Sequence, residues 1–364
     1  MLIQELIQHL LNTLEAKGFK TLVHFELEGV CKLRSGHKKL DYAGINQTLA
    51  KLNIDGELKS EYWKNQWELV SLFNGQSPLK EAQNLAHAMR ILPTLMCQHG
   101  ATEVMMAPVA WGADKGRYIN GSGAIFSLDT RSVHIPNAIQ MNVSVENEQG
   151  ENLFAQQGLG EWIQYELLVN SYACCLLFLP EEDAFKRLAL RQDYGLDAEL
   201  SSPVVLSGGH QGSIALYKEK GKHNQAMGLE PLFFATDNSV LQYAGDWRKT
   251  ARVEHRIGAT SKNYDPYLNM LFILINVLEG INKWQCLEIL PQFEDKVLPV
   301  SLFDEHNKQN GQKKLGALSL FKNDKWFVDK IDYYSQDMPN LNVIDLGVKI
   351  KEMMLSKYQR TVIT

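Results

Sequence analysis

Apolar and polar residues follow a helical period at the start of the chain. Leu6 and Leu10 lie four residues apart among further apolar positions, which predicts a helix over residues 2–17 that ends at Gly18. From residue 21 the period changes to two, and this predicts a strand over residues 21–28. The same reasoning predicts helices at 77–92, 159–179, 266–281 and 343–358, strands or extended segments at 61–73, 101–108, 138–145, 203–217 and 232–256, and a polar loop at 307–314.

The order of these elements indicates the fold class. Strands and helices mix without the regular strand–helix–strand alternation of a parallel sheet. This order favours an α+β protein with an antiparallel sheet.

Three of the predicted strands have one polar face. Alternate side chains of a strand point to opposite sides, so residues two apart share a face, about 6 to 7 Å apart along the strand. The polar faces carry Leu22, His24, Glu26 and Glu28 in the first strand, Gln140, Asn142 and Ser144 in the second, and Arg252, Glu254 and Arg256 in the third. One interpretation is that an antiparallel sheet simply exposes this side to water. The other is that paired carboxylates near arginines bind hard cations and phosphates.

Composition excludes several classes of protein. The chain has 364 residues, a formal net charge of -5 and no block of lysine or arginine, so a nucleic-acid partner is not expected. No apolar stretch reaches the ~18 residues needed to cross a bilayer, and the N-terminus lacks the features of a signal peptide, so no membrane partner is expected either. The five cysteines show no C-x-x-C spacing, which favours a cytoplasmic protein without a disulfide framework.

Several short segments occur in a characteristic order. The first is the Glu-x-Glu strand ending at Glu28, and the second is 61–69, which resembles H-E-x-x-x-x-Q-x-E-[IV] with Ser60 in place of the histidine. Ser144 with Asn152-Leu153-Phe154 follows, and then 185–188, which is close to S-Y-K-R-L. The last three are 249–256, which resembles K-x-x-R-[IL]-E-x-R, 265–268, close to N-P-Y-L, and 278–281, close to L-x-G-I. Over residues 5–283, this order and spacing resembles the catalytic domain of glutamine synthetase.

The resemblance implies an architecture. It implies a curved antiparallel sheet flanked by helices, a single domain over residues 1–364, and a helical C-terminal part over 284–364. Because the resemblance starts with the family's catalytic domain, its N-terminal β-grasp domain is expected to be absent. Because that domain holds the family's rings together, we expect a monomer or small homo-oligomer in place of a large ring.

The resemblance also implies cofactors and site residues. In the family, Mg²⁺ or Mn²⁺ ions bridge the phosphates of ATP, and a carboxylate substrate becomes an acyl phosphate that an amine attacks. By position, Glu28, Glu61 and Glu68 would hold one ion, and Glu26, Glu254 and Gln140 a second, weaker one, because Gln140 stands in place of a histidine. The nucleotide-binding positions are Lys249, Arg252 and Ser144, and the catalytic positions are Arg187, Arg256 and Asp193.

The sequence departs from the family at the substrate side. His210 and Ala215 stand where the family has two arginines, and residues 135–138 replace its glutamate-binding N-G-x-G loop. Residues 120–123 read Asn-Gly-Ser-Gly but come too early in the chain, and we interpret them as a turn.

Two functions therefore stay open. One is an ATP-dependent carboxylate–amine ligase with an altered acid or amine substrate. The other is a catalytically impaired homologue that acts by binding a nucleotide or a protein. Of the remaining candidates, His255 is expected to be a packed or solvent-exposed histidine and not a ligand, and the pair Cys174–Cys175 is expected to pack in the core. Trp63, Trp67 and Trp111 either are core or interface residues or shape a substrate pocket.

Overall fold

Long elements of the computed structural model follow the hydrophobic pattern closely. It describes residues 2–61, 63–72, 75–115, 132–156, 158–190, 213–218, 229–234, 240–309, 311–338 and 345–359. The helices in these ranges are α1 (Leu2–Ala16), α2 (Tyr42–Lys51), α3 (Pro78–Gln98), α4 (Leu159–Ala173), α5 (Glu182–Ala189), α6 (Pro266–Gln285), α7 (Ala317–Asn323), α8 (Trp326–Ser335) and α9 (Leu346–Gln359). The strands are β1 (Phe19–Leu33), β2 (Glu57–Ser60), β3 (Gln66–Val70), β4 (Ala101–Met105), β5 (Val109–Lys115), β6 (Ser132–Pro136), β7 (Ile139–Asn147), β8 (Ile214–Tyr217), β9 (Leu229–Phe234), β10 (Val240–Asp246), β11 (Arg252–His255), β12 (Lys308–Gln309) and β13 (Gln312–Lys313).

Local sequence signals account for where several helices begin. The side chain of Ser77 caps α3 by accepting a hydrogen bond from the amide of Lys80, and Pro78 fills the first turn, where its missing N–H costs nothing. Asp265 caps α6 in the same way, again followed by a proline. Both predicted helix starts are confirmed.

The main sheet is antiparallel and open. Its strands lie in the order β2-β3-β1-β7-β11-β8, with β4 paired to the far end of β1. The prediction of an α+β fold with an antiparallel sheet is confirmed. Long β1 lies at the centre, because it pairs with β3 along one edge and with β7 along the other.

One face of this sheet forms the core. The odd-numbered residues of β1 and β7 are almost completely buried, and helices α1, α3, α4 and α6 pack on that side. Helix α6 is apolar nearly all round because it contacts α1, α3 and α4 as well as α8. Burial on this side forces the even-numbered residues of the same strands to the opposite face.

Two predicted elements differ from the structure. The helix predicted over 159–179 ends at Ala173 and continues as a separate 3-10 turn at Cys175–Leu177. The break has no sequence signal, because every residue from Cys174 to Leu179 is buried and apolar. The predicted polar loop at 307–314 contains the short hairpin of β12 and β13. None of the helices within the described ranges is long and apolar enough to span a bilayer.

Candidate functional site

The polar faces of the strands join into one surface, which we call the site face. It consists of the even-numbered residues of β1, β3, β7 and β11 and the odd-numbered residues of β2 and β8. The antiparallel register places directly opposite each other Glu28 and Glu68, Glu26 and Gln140, Asn142 and Glu254, Lys59 and Glu68, and Glu254 and Ala215. The alternation predicted for three separate strands is therefore confirmed, and the register assembles them.

Glu28 lies at the centre of what we call the carboxylate side, formed by Glu28, Glu61, Glu68 and Lys59. Burial raises the pKa of Glu28 to about 8, and the negative charges of Glu68 and Glu61 add to this effect. The charge of Arg187 and the amide of Ala138, which donates to Glu28 Oε2 at 2.7 Å, lower the pKa but do not offset the rise. Burial and the two neighbouring carboxylates therefore favour the protonated form of Glu28.

Lys59 is the basic member of the carboxylate side. Its Nζ lies 3.0 Å from Glu68 Oε2. Burial acts to lower the pKa of Lys59, but the charges of Glu68, Glu61 and Glu26 outweigh it and the pKa is raised. The ammonium is thus held by the electrostatic field of several carboxylates and not by one ion pair alone.

Glu254 lies at the centre of the opposite region, which we call the arginine side, formed by Glu254, Arg252, Arg256 and Tyr217. Its carboxylate lies 3.4 Å from Arg252 Nη2 and 3.3 Å from Arg256 Nε. The guanidinium of Arg252 stacks on the ring of Tyr217 at 4.8 Å, and Arg256 Nη1 donates to the Tyr217 hydroxyl at 3.3 Å. Glu254 and Tyr217 are completely buried, so each charge here has a fixed partner.

Asn142 links the arginine side to Glu26, which shares a face of β1 with Glu28. Its Nδ2 donates to Glu26 Oε1 at 2.9 Å, and its Oδ1 accepts from Arg252 Nε at 2.7 Å. Glu26 is thereby joined to Arg252 through one side chain. The register makes this possible, because Asn142 lies opposite both His24 on β1 and Glu254 on β11.

Arg187 approaches the site face from helix α5. It is buried, its Nη1 donates to the carbonyl of Ile257 at 3.0 Å, and its Nε has no hydrogen-bond partner among the described residues. Burial lowers the pKa of Arg187 to about 10, an effect that the charge of Glu28 opposes and that of Arg256 reinforces. The predicted catalytic residues Arg187 and Arg256 are therefore close enough to influence each other.

The carboxylate side has the donors that a hard divalent cation prefers. Carboxylate and amide oxygens are the usual ligands of Mg²⁺, and a cation would relieve the repulsion that raises the pKa of Glu28. Within the described part of the chain, however, no three carboxylate, histidine or cysteine side chains already converge on one point that could hold a metal ion. The residues fit a cation in charge and chemistry, and side-chain rotation would be needed to gather them.

The second predicted cation set is less suited to a metal ion. Gln140 Oε1 is buried and has no hydrogen-bond partner among the described residues, as expected of an oxygen that could bind a cation. Glu254, by contrast, is already engaged by two guanidinium groups. A second cation at Glu26, Glu254 and Gln140 stays a prediction, and such an ion would have to displace these arginines.

The remaining predicted residues lie farther out or outside the described ranges. Ser144 lies opposite Leu22, two residues beyond Asn142 on the site face. Lys249 is exposed, and its carbonyl accepts from Asn152 Nδ2 at 3.0 Å. Asp193, His210 and the turn at 120–123 lie outside the described residues.

Residues 135–138 are held firmly beside Glu28. Asn137 is fully buried, its Oδ1 accepts from Gln66 Nε2 at 3.2 Å, and its Nδ2 donates to the carbonyl of Ala107 at 3.0 Å. Thr260 Oγ1 donates to the carbonyl of Ala138 at 2.8 Å. The polar groups of the segment that replaces the expected substrate loop are therefore used in hydrogen bonds within the protein.

The open alternatives for several side chains are decided by burial. Trp63 and Trp67 are core residues, whereas Trp111 is half exposed and donates to Asp183 Oδ2 at 2.9 Å. The predicted core positions of Cys174 and Cys175 are confirmed, and of the two alternatives for His255 the packed one holds, since all three side chains are completely buried.

Sequence reasoning missed Lys59 and Tyr217. Strands β2 and β8 have only four residues each, too few for a clear alternation. The only available signal was the polar–apolar pattern of residues 57–60, which does not show what lies opposite.

Comparisons with known proteins identify the class of fold. Neither a family model nor a curated protein sequence matches the chain. Among solved structures, a novel glutamine synthase homolog matches with a TM-score of 0.59 at 15% identity, over 98% of this chain and 71% of that one. The protein GmaS matches in an ADP complex with a TM-score of 0.60 at 14% identity, and without ligand with a TM-score of 0.56 at 13% identity; each match covers 98% of this chain and 74% of GmaS.

These matches settle the architecture. The chain has a divergent glutamine synthetase-like fold, as the order of its motifs predicts. At 13% to 15% identity the likeness extends to the fold and not to the activity.

Proposed function

We propose that this protein is an ATP-dependent carboxylate–amine ligase that activates an acid as an acyl phosphate. The observation that carries this proposal is the continuity of the site face: Asn142 hydrogen-bonds both Glu26, next to the carboxylate side, and Arg252 on the arginine side. Cation-binding and phosphate-binding groups thus lie on one rigid sheet, as transfer of a phosphoryl group requires.

The arginines are suited to the phosphates of a nucleotide. Arg252 is a quarter exposed, so its guanidinium is accessible to a ligand, while Arg256 and Arg187 are buried behind it. Guanidinium groups bind phosphate oxygens through paired hydrogen bonds and stabilise the charge that spreads during transfer. The ADP bound to GmaS supports a nucleotide ligand for this fold.

Glu28, Glu61 and Glu68 would hold Mg²⁺ or Mn²⁺ beside the phosphates. A bound divalent cation supplies positive charge that polarises the phosphoryl group. The protein's own contribution is to keep these carboxylates on one face of the sheet, close to the buried cation of Arg187.

The acid substrate is expected to differ from free glutamate. Asn137 uses its side chain to bind Gln66 and Ala107, so it is not available to a substrate as a family-type loop would be. The prediction that Asp193 accepts a proton from the attacking amine stays a prediction.

A second candidate is nucleotide binding without turnover. It is favoured by Ala215, which lies opposite Glu254 and brings no guanidinium, and by the arginine pair that already neutralises Glu254. A site balanced by its own charges can bind a ligand without developing the field needed for catalysis.

The experiment measures ADP release from ATP with Mg²⁺ or Mn²⁺ across a panel of carboxylic acids and amines. We expect release that requires both an acid and an amine and that is lost in Glu68→Gln. The matched control is Glu103→Gln, a strand glutamate that also pairs with a lysine but lies on the exposed surface. Nucleotide binding without release across the panel would favour the second candidate, and absence of nucleotide binding would contradict both.

A further inference from the structure

Lys59 belongs to the outermost strand of the sheet. Within the described part of the chain, strand β2 pairs with β3 alone, and Lys59 lies directly opposite Glu68, which in turn lies opposite Glu28. A lysine and two glutamates therefore form a row across three strands. The lysine is the one member of this row that approaches from the solvent side.

The two ends of this row differ in burial. The side chain of Lys59 is 52% exposed, whereas that of Glu68 is 9% exposed. A lysine has a flexible four-carbon stem and a compact charge, so its ammonium can leave Glu68 for water at modest cost. Glu68 has no such freedom, because its side chain is almost completely enclosed by the protein.

We propose that Lys59 is an internal counter-ion that competes with a divalent cation for Glu68. This proposal rests on the part of the proposed function that assigns a divalent cation to the carboxylate side. In the absence of metal, the ammonium neutralises Glu68; when a divalent ion binds, the ammonium moves out to solvent. Lys59 thereby weakens cation binding and prevents the empty carboxylates from destabilising the sheet edge.

The arginine side shows why Lys59 is suited to this role. The side chain of Arg256 is 5% exposed and pairs with a fully buried carboxylate, so it cannot withdraw to water. Lys59 makes an equivalent contact from a half-exposed position. Of these two basic side chains, only Lys59 combines contact with a site carboxylate and an open route to solvent.

The test is binding of Mn²⁺ alone, without nucleotide, measured by titration calorimetry and by water-proton relaxation. We expect Lys59→Met, which keeps most of the stem and removes the charge, to bind Mn²⁺ about five-fold more tightly than the wild type, a change that corresponds to about 1 kcal/mol. Lys59→Arg retains the charge and should bind no more tightly than the wild type. Lys59→Gln is a second neutral variant should Lys59→Met fail to fold.

Lys20 provides a matched control. It is also a lysine of the main sheet, its side chain is also 52% exposed, and its Nζ lies 3.7 Å from the cross-strand carboxylate of Glu146. It lies at the other end of β1, so Lys20→Met should leave Mn²⁺ affinity unchanged.

The outcomes separate this proposal from the proposed function. Tighter Mn²⁺ binding confined to the neutral Lys59 variants supports it, including the case in which only these variants bind measurably. Equal or weaker binding in the neutral variants, an equal gain in Lys20→Met, or no Mn²⁺ binding by any variant would overturn it. Ligase activity is not read in this experiment, so a protein without turnover can still pass it.

Discussion

The carboxylate side and the arginine side use the same kinds of charge in opposite proportions. On the arginine side, one buried glutamate has two guanidinium partners within 3.4 Å. On the carboxylate side, the ammonium of Lys59 lies 3.0 Å from Glu68, and the charge of Arg187 acts on Glu28. Burial raises the pKa of Glu28 to about 8 there, and the charges of Glu68 and Glu61 add to the effect.

This difference in charge indicates which of the two sides could bind an additional cation. Glu254 lies two residues along the chain from each of its arginines, so their pairing is local. Glu28 and Glu68 come from different strands, and the register places them directly opposite each other. A ligand cation would therefore gain more on the carboxylate side, while the arginine side is suited to a ligand anion.

The largest expected effect follows from breaking the arginine side. Glu254→Gln leaves the buried guanidinium of Arg256 without its carboxylate, and removing one partner of a buried pair is strongly destabilising. We expect the free energy of unfolding to fall by about 3 kcal/mol, measured by urea denaturation at pH 7.

Glu103→Gln is the control for that measurement. The pair of Glu103 with Lys32 is exposed, so its loss should cost less than about 1 kcal/mol. An equally small loss in Glu254→Gln would contradict the view that the arginine side is a closed, self-neutralised network.

A separate, pH-dependent effect is expected on the carboxylate side. The pKa of Glu28 rises from 4.5 to about 8 on folding, so the folded protein holds this proton more tightly than the unfolded chain does. Its contribution to stability is therefore fully present below about pH 4.5 and is lost as the pH rises to about 8. Between these values, wild-type stability should fall relative to that of Glu28→Gln.

Urea denaturation of the wild type and Glu28→Gln at several pH values checks this expectation. Parallel stability curves for the two proteins from pH 4.5 to 8 would contradict it. Millimolar Mn²⁺ should reduce the difference between the curves at pH 8, because a bound cation favours the ionised carboxylate.

The smallest effect is expected from Gln140→His. Imidazole binds Mn²⁺ and similar ions more strongly than an amide oxygen does. The two arginines on Glu254 remain, however, so we expect the gain in Mn²⁺ affinity to stay below about three-fold, or about 0.7 kcal/mol. A larger gain in Mn²⁺ titrations would indicate that the arginines yield readily and that the two sides are more alike than their contacts suggest.

Local signals were sufficient for most of the long elements. The helical period predicts α1 to within one residue, the pair Ser77-Pro78 predicts where α3 begins, and the apolar run from Pro266 predicts α6. These signals act between residues a few positions apart, where backbone geometry alone decides. The end of α4 at Ala173 was missed because an apolar, fully buried segment carries no period to interrupt.

The sequence by itself determined which side chains share a face. Alternation along β1 assigns Glu26 and Glu28 to one side and Phe25 and Leu27 to the other, because burial of the apolar set leaves no choice. The motif order extended this to Glu68 and Glu254 through resemblance to a known fold. The sequence of a strand thus predicts which of its own side chains lie on the same face.

Only the tertiary structure decided which charges meet. The register between paired strands brings Lys59 to Glu68. The register between β8 and β11 places the ring of Tyr217 against Arg252, and the Tyr217 hydroxyl accepts a hydrogen bond from Arg256. A shift by one residue would turn Lys59 to the other face, and within the four residues of β2 the buried Leu58 is the one apolar side chain that opposes it. Packing of the apolar face against α1, α3, α4 and α6 keeps the strands in this register. The arrangement of charges on the site face is therefore determined only in the assembled sheet.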